Sequence, residues 1–155
     1  MADNAKVIRD LYDALDRHDG EAMAKLYAPD GSFRDPAFGR LSGEEAGDMW
    51  RMLTSRSDDL SVELAEHAAD GDRGRARWIA RYTFSDTGRP VTNEVRARFR
   101  FRDGLITEHR DSFSLPRWTR QALGGPAGLV GGLPPFSLLL RRRARADLRR
   151  FREQR

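Results

Sequence analysis

The fold is decided by residues 60–113, which read LSVELAEHAADGDRGRARWIARYTFSDTGRPVTNEVRARFRFRDGLITEHRDSF. This stretch holds four runs in which apolar and polar residues alternate, roughly 60–69, 73–85, 90–102 and 104–113. The runs are separated by three short turns, Asp70-Gly71-Asp72, Asp86-Thr87-Gly88 and Asp103-Gly104. Asp-Gly between alternating apolar runs is a strong signal for a β-hairpin. The stretch therefore predicts an antiparallel meander of four strands.

The alternation also indicates which side chains share a face of the sheet, because successive residues of a strand point to opposite sides. The second and third strands are apolar on one side and mostly basic on the other. Their apolar side carries Ala76, Trp78, Ala80, Tyr82, Phe84, Val95, Ala97, Phe99 and Phe101. Continued pairing adds Leu105, Thr107, His109, Asp111 and Phe113 of the fourth strand to that side. It leaves Ile106 on the other.

The spacing of apolar residues before residue 60 predicts three helices. The second of these carries Met23, Leu26 and Tyr27 on one side. The third follows Ser42, which stands three residues before Glu45 as in a capping box. Between them, a short strand is predicted from Ser32 to Asp35. Pro36 ends this strand, because proline has no backbone N–H to donate.

Residues 116–155 predict a C-terminal extension. A short helix is expected over Arg117 to Leu123, followed by a stretch rich in Gly and Pro, 124–136, that also carries leucines and a valine. This mixture predicts a tethered apolar flap. The last helix, about Phe136 to Arg152, has an apolar stripe among arginines. We expect the extension to pack on its own domain or on a sister subunit.

The composition excludes several kinds of chemistry. The chain has no cysteine, so disulfides, thiolate metal sites and cysteine nucleophiles are absent. No cluster of His, Asp and Glu has the spacing of metal ligands, and no cofactor is expected. No apolar run reaches the roughly 18 residues of a membrane helix, so the predicted location is cytoplasmic.

Three strings of the sequence carry a resemblance to a known superfamily. They are Leu26-Tyr27-Ala28-Pro29-Asp30-Gly31-Ser32-Phe33, Asp35-Pro36 and Gly104-Leu-Ile-Thr-Glu-His-Arg-Asp-Ser-Phe113. With them, residues 4–113 resemble the nuclear-transport-factor-2-like superfamily, and within it the SnoaL-like, or polyketide-cyclase-like, branch. The resemblance implies an α+β fold over residues 1–115, in which a cone-shaped, curved antiparallel sheet packs against three N-terminal helices. An extra C-terminal helix follows. A homodimer is also implied.

Ketosteroid isomerases of this superfamily resemble the chain at Asp35-Pro36, which matches the position of their catalytic base. The resemblance implies that Asp35 is an acid in a pocket. These isomerases also use a Tyr and a protonated Asp to stabilise an enolate. Those positions fall at Leu11 and Ala97 here, with Tyr12 one residue out of phase. Steroid isomerisation by that mechanism is therefore not expected.

Limonene-epoxide-hydrolase-like proteins resemble the chain at the end of the fourth meander strand, Arg110-Asp111-Ser112-Phe113. In those enzymes the terminal Asp acts with an Arg and an Asp on the second meander strand. The corresponding positions are Trp78 and Ala80. Since both partners are replaced by groups that cannot activate water, epoxide hydrolysis by that mechanism is not expected either.

The candidate catalytic residues are Asp35, His109 and Asp111. His109 and Asp111 are two residues apart on one strand, so they share a face about 7 Å apart along it. Asp111 could orient His109 as a general base near neutral pH, and an acid in an apolar pocket such as Asp35 would have a raised pKa. The structural alternatives are that Asp111 binds an arginine or backbone amides, that His109 fills the wall and that Asp35 closes a turn.

The aromatic residues of the same faces are expected to line a pocket or to fill the core. The predicted lining consists of Tyr12, Trp50, Trp78, Tyr82, Phe99, Phe101 and Phe113. Such a lining is suited to a flat, largely apolar ligand with one or two polar groups.

Two hypotheses about function follow. In the first, the protein is a cofactor-independent isomerase, hydrolase or cyclase acting on a small polycyclic or terpenoid-like molecule. In the second, it is a non-catalytic module for ligand binding or dimerisation. Nucleic acid is a disfavoured partner, because Glu63, Glu94 and Glu108 can pair with the basic faces and no aromatic side chain lies there. Contact of the arginine-rich last helix with an anionic membrane is also disfavoured.

Overall fold

The computed structural model describes residues 3–126 and 133–155 as one six-stranded sheet with five helices. The helices are α1 (Asn4–Asp16), α2 (Gly20–Ala24), α3 (Gly43–Arg56), α4 (Leu115–Leu123) and α5 (Pro134–Glu153). The strands are β1 (Tyr27–Asp35), β2 (Gly39–Ser42), β3 (Ser61–Asp70), β4 (Arg73–Phe84), β5 (Arg89–Arg102) and β6 (Leu105–Ser112). In the sheet the order is β2-β1-β6-β5-β4-β3. The sheet is curved and does not close. The predicted α+β cone is confirmed.

The four predicted meander strands are β3 to β6, and all three hairpins are antiparallel. The turn between β5 and β6 shows how local chemistry specifies a hairpin. Asp103 and Gly104 have φ angles of 54° and 77°. Positive φ at both central residues is the geometry of a type I′ turn, whose twist matches that of the strands.

The sheet differs from the prediction at its other edge. β1 begins at Tyr27, five residues before the predicted strand, so the prediction that Tyr27 lies on the second helix was wrong. β1 pairs with β6 in parallel. The sheet is therefore mixed rather than antiparallel throughout. β2 was not predicted, because four residues after a turn are too short to show an alternating pattern. It returns from that turn and pairs with β1 from Ser32↔Ser42 to Asp35↔Gly39.

The prediction for the start of β6 was wrong, and a bulge explains why. Phe99 is opposite His109, but Phe101 is opposite Ile106, so the register shifts by one residue between these pairs. An extra residue in one strand reverses the alternation beyond it. Ile106 therefore lies on the inner face and is fully buried, whereas Leu105 and Thr107 are only partly buried.

Helices α1 and α3 cover the inner, concave face of the sheet and supply much of the core. Asp3 caps α1 by accepting a hydrogen bond from the backbone N–H of Lys6, and Ser42 and Glu45 form the predicted capping box of α3. The buried aromatic residues of the core are Tyr12, Tyr27, Phe33, Phe38, Trp50, Trp78, Phe99 and Phe101. Aromatic residues thus make up eight of the 23 buried residues in the core of the described chain.

Helix α5 packs against α3 and the turn between β1 and β2. Leu148 is 3% exposed and belongs to the same core as α1 and α3. Nη1 of Arg145 donates hydrogen bonds to the carbonyls of Phe38 and Arg40 in and after the β1–β2 turn, at 3.0 and 2.9 Å.

The predicted flap falls mainly on residues 127–132, which lie outside the described residues. The boundary between the cone domain, residues 1–115, and the C-terminal extension, residues 116–155, stays a prediction. None of the described helices combines the length and apolarity needed to cross a membrane.

Candidate active site

The side chains of His109 and Asp111 meet on the inner face of β6. Nε2 of His109 lies 2.8 Å from Oδ1 of Asp111, and the two residues are 1% and 5% exposed. Ala97 is opposite Asp111 and Ala76 is opposite Ala97, so only small side chains adjoin the carboxylate along this row. Within the described residues, Oδ2 of Asp111 has no hydrogen-bond partner. One carboxylate oxygen is therefore held by the protein, and the other is available.

A chain of hydrogen bonds leads from His109 back to α3. Nδ1 of His109 is 2.7 Å from the hydroxyl of Tyr27, and that hydroxyl accepts a hydrogen bond of 2.9 Å from Nε1 of Trp50. One arrangement of protons satisfies every group: Trp50 donates to Tyr27, Tyr27 donates to Nδ1, and Nε2–H donates to Asp111. This arrangement assigns His109 as neutral with its proton on Nε2.

The ring of His109 is enclosed by aromatic side chains. Its centroid lies 4.4 Å from that of Phe99, 5.0 Å from Phe33 and 6.0 Å from Tyr27. Since both ring nitrogens are engaged and the side chain is fully buried, His109 does not reach a ligand directly. What it does is fix the orientation of the Asp111 carboxylate.

Asp35 lies at the end of β1, where its Oδ1 accepts a hydrogen bond of 2.6 Å from the backbone N–H of Phe38. Burial raises the pKa of Asp35 to about 7, and the negative charge of Asp111 acts in the same direction. The backbone N–H groups of Phe38 and Ala37 and the Arg141 guanidinium oppose this increase in pKa. The two carboxyl groups therefore influence each other, and a large part of Asp35 is protonated at neutral pH.

Two donor groups on aromatic side chains of the interior have no acceptor among the described residues. They are the hydroxyl of Tyr12 and Nε1 of Trp78, which are both buried. The two rings are in contact, with centroids 5.1 Å apart. Burial raises the pKa of Tyr12 well above its usual value, and the negative charge of Asp111 adds to that effect. The hydroxyl is thus a neutral donor within the electrostatic influence of Asp111.

The predicted pocket-lining residues take different positions. Tyr12, Trp50, Trp78, Phe99 and Phe101 are buried in the core, whereas Tyr82 and Phe113 are partly buried. Tyr82 accepts a hydrogen bond of 2.7 Å from Nε1 of Trp118 in α4. Four cavities of 250 to 430 Å³ open to the surface of the described part of the chain. Phe113 borders one of them, and the other six predicted residues border none of the four.

Tyr27 is the site residue that the sequence analysis missed. It begins β1 and pairs with Ile106 of β6 in parallel, so its contact with His109 depends on a strand pairing that no local pattern indicates. The available signal was its place in the string from Leu26 to Phe33. No group of three His, Asp or Glu residues that could hold a metal ion occurs in residues 3–126 and 133–155.

The cone and the inward-facing acids define an α+β protein of the nuclear-transport-factor-2-like class. A family model for the SnoaL-like domain matches residues 8–109, about two thirds of the chain. The chain therefore belongs to the SnoaL-like domain family. A search of curated proteins found no match.

Solved structures with the same fold include several bacterial proteins. IdmH from Streptomyces antibioticus, described as a proposed polyketide cyclase, is 26% identical with a TM-score of 0.65 and covers 79% of this chain and 99% of its own. An LEH-like epoxide hydrolase from M. tuberculosis is 21% identical with a TM-score of 0.66, covering 82% of this chain and 94% of its own. A ketosteroid isomerase-like protein from Catenulispora acidiphila, solved with trimethylamine, is 22% identical with a TM-score of 0.68, covering 79% and 95%.

Proposed function

We propose that this protein is a cofactor-independent acid/base enzyme of the isomerase, hydrolase or cyclase type. The observation that carries the proposal is that the two carboxylate oxygens of Asp111 have different surroundings. His109 forms a hydrogen bond with Oδ1, while Oδ2 has no partner among the described residues and lies beside small side chains. A carboxylate oriented in this way can remove a proton from a ligand. His109 is then a positioning residue, and Asp111 is the group that contacts the ligand.

Asp35 supplies the complementary acid. Two carboxyl groups with different environments can divide the roles of acid and base. Because the pKa of Asp35 is raised to about 7, this group can hold a proton near neutral pH and donate it to a ligand. In a proton transfer, Asp111 gains the proton that leaves the ligand, and Asp35 returns one to another atom of it. No net change in protonation of the enzyme results once the two acids re-equilibrate with water.

The ligand class follows from the groups around the acids. The surrounding core is apolar and contains eight aromatic side chains, which favours a flat, apolar molecule such as a polycyclic or terpenoid-like compound. The unpartnered donors on Tyr12 and Trp78 favour a ligand that carries a carbonyl oxygen or another acceptor. Similarity to IdmH supports this class, since a polyketide cyclase acts on a molecule of that kind.

The second candidate is a module that binds an apolar ligand or forms a dimer without catalysis. One observation favours it: the interior aromatic rings contact one another, with Phe99 and Phe101 stacked at 5.8 Å and Tyr12 within 6.5 Å of Phe99. A core filled by its own side chains leaves less room for a substrate.

Exchange of carbon-bound protons in D₂O distinguishes the two candidates without knowledge of the final product. The probes are a panel of bicyclic and tricyclic ketones, and loss of their α-proton signals is followed by ¹H NMR. An acid/base enzyme is expected to accelerate exchange of at least one ketone. Asp111→Asn should lower that rate by about 10² to 10⁴, the usual contribution of a positioned base.

Asp103→Asn is the matched control, because Asp103 is an exposed acid in the turn that precedes β6. It should leave the exchange rate unchanged. Ligand binding detected by shifts of the aromatic resonances, with no exchange in any sample, would support the non-catalytic module. Equal exchange by the protein and both variants would contradict the role of Asp111.

A further inference from the structure

A row of five arginines crosses the outer face of the sheet. Arg75 on β4 is opposite Arg98 on β5, which is opposite Arg110 on β6. Arg110 is the parallel partner of Arg34 on β1, and Arg34 is opposite Arg40 on β2. We call these residues the arginine row. Alternation along each strand made this face basic, but the alignment of arginines across five strands depends on the register.

The arginine row is exposed and lacks acidic partners. All five residues are classed as exposed, and none of their guanidinium groups has an ion pair or a hydrogen bond with the rest of the described protein. The glutamates of this face pair with other arginines. The pairs are Glu63 with Arg81 at 3.3 Å, Glu66 and Glu94 with Arg77 at 3.6 and 3.2 Å, and Glu108 with Arg100 at 3.9 Å. The sequence predicted that glutamates would neutralise the basic face, but these glutamates do not pair with the arginine row.

Like charges directly opposite each other destabilise a sheet, so this arrangement favours the binding of an anion that relieves the repulsion. Neighbouring strands are about 4.8 Å apart, so four intervals give the row a length of about 19 Å. Two cavities adjoin it: one of about 250 Å³ borders Arg34, Arg40 and Arg110, and one of about 380 Å³ borders Arg75 and Arg98.

The shape and surroundings of the row favour one class of partner. The exposed large apolar side chains of the described residues are Leu133, Leu138 and Leu139, none of which is in the sheet. The described part of the outer face therefore has no fully exposed large apolar side chain that could insert into a lipid layer or stack on a base. A second copy bound face to face would bring two arginine rows together. The partner class that fits the arginine row is therefore a linear polyanion, whose closely spaced phosphates can pair with a line of guanidinium groups.

We propose that the arginine row binds the sugar-phosphate backbone of nucleic acid, without preference for sequence. A strand of B-form nucleic acid carries one phosphate per roughly 3.4 Å of axis, so about 19 Å spans five or six phosphates for the five arginines. This surface is separate from the candidate active site. Arg110 points outward between His109 and Asp111, whose side chains point inward. The inference does not depend on the proposed enzymatic function.

The test measures binding of the full chain to fluorescein-labelled oligo(dT) of 20 nucleotides, and to a 20-base-pair duplex, by fluorescence anisotropy from 50 to 300 mM salt. Five phosphate contacts predict that log K falls against log salt with a slope of about −3.5 for the single strand and about −4.5 for the duplex. Arg98→Gln and Arg110→Gln should each reduce the slope by about 0.7 on the single strand. At 0.1 M salt, each should weaken binding about fivefold.

Arg81→Gln is the matched control, since Arg81 lies on β4 and the same face but is paired with Glu63. It should bind like the unaltered protein. Far-ultraviolet circular dichroism verifies the fold of each variant. No binding of either oligonucleotide at 50 mM salt would overturn the proposal, as would an equal loss in all three variants. Binding to phosphatidylserine vesicles without binding to oligonucleotides would instead identify a membrane surface and overturn it as well.

Discussion

Asp111 is held by His109 through a bond of 2.8 Å between Oδ1 and Nε2, and the imidazole is the more deeply buried of the two groups. The difference in burial decides which of the two groups can contact a ligand. With both its nitrogens engaged, the imidazole has no free position, whereas the carboxylate retains Oδ2. The pair thus differs from an arrangement in which a carboxylate orients a histidine that contacts the substrate. Here the buried histidine orients the carboxylate.

Tyr27→Phe tests the hydrogen-bond chain that holds His109. The substitution removes a hydroxyl that accepts from Trp50 and is bonded to His109, leaving two buried groups without a partner. Since an unsatisfied buried group costs about 1–3 kcal/mol, we expect the free energy of unfolding to fall by roughly 2–4 kcal/mol. Urea denaturation measures this change.

Tyr82→Phe is the control for that substitution, because its hydroxyl accepts one hydrogen bond, from Trp118, in a partly buried position. We expect a cost of about 1 kcal/mol. Equal losses for the two variants would show that the chain from Trp50 to Asp111 has no special importance for stability.

Asp35→Asn is expected to alter how stability depends on pH. The folded-state pKa of Asp35, about 7, lies above its ordinary value of 3.8, so the folded protein retains a proton that the unfolded chain has released. The retained proton stabilises the folded protein relative to the unfolded chain. This stabilisation is fully present below about pH 4 and is lost as the pH rises through 7. It amounts to about 4 kcal/mol at most, since each pKa unit is about 1.4 kcal/mol.

The measurement compares urea denaturation of the protein and Asp35→Asn at pH 4.5 and pH 8.0. The asparagine keeps an oxygen that can accept from Phe38, and it cannot ionise. The decrease in unfolding free energy from the lower to the higher pH should therefore be smaller in the variant. If both proteins show the same decrease, Asp35 has an ordinary pKa and does not serve as the acid.

Asp111→Asn is expected to leave the melting temperature unchanged or to raise it. The amide oxygen can still accept from Nε2 of His109, while the substitution removes a buried charge whose second oxygen is unpartnered. Functional acids held in apolar surroundings often reduce stability in this way. Differential scanning calorimetry near neutral pH provides the measurement. A loss equivalent to about 1–3 kcal/mol would indicate a structural carboxylate and would count against the catalytic assignment.

Local patterns predicted the meander well because its signals are short-range. Asp-Gly turns and alternation specify β3 to β6 to within one residue at every end, and the capping box at Ser42 specifies the start of α3. The inner positions of His109 and Asp111 followed from the same alternation. The error at Ile106 arose because a bulge adds a residue without any distinctive sequence.

The rest of the site depends on contacts between residues far apart in the chain. The bond from Tyr27 to His109 joins residues 82 positions apart through a parallel pairing of β1 and β6. The alignment of the arginine row requires five strands in a particular register. No periodicity within one segment encodes a register between segments, which is why these features became visible only in the folded chain.

Leu148→Ala tests whether α5 belongs to the folded unit of the cone. Leu148 is 3% exposed within the core, whereas Leu139 on the same helix is 60% exposed. Both substitutions change leucine to alanine in a helix, so helix propensity cancels between them. Leu148→Ala should lower the free energy of unfolding by about 2–4 kcal/mol, and Leu139→Ala should change it by no more than about 0.5 kcal/mol. Urea denaturation decides the outcome. Similar small effects of both would mean that the cone is stable without α5, and that the extension is a separate unit.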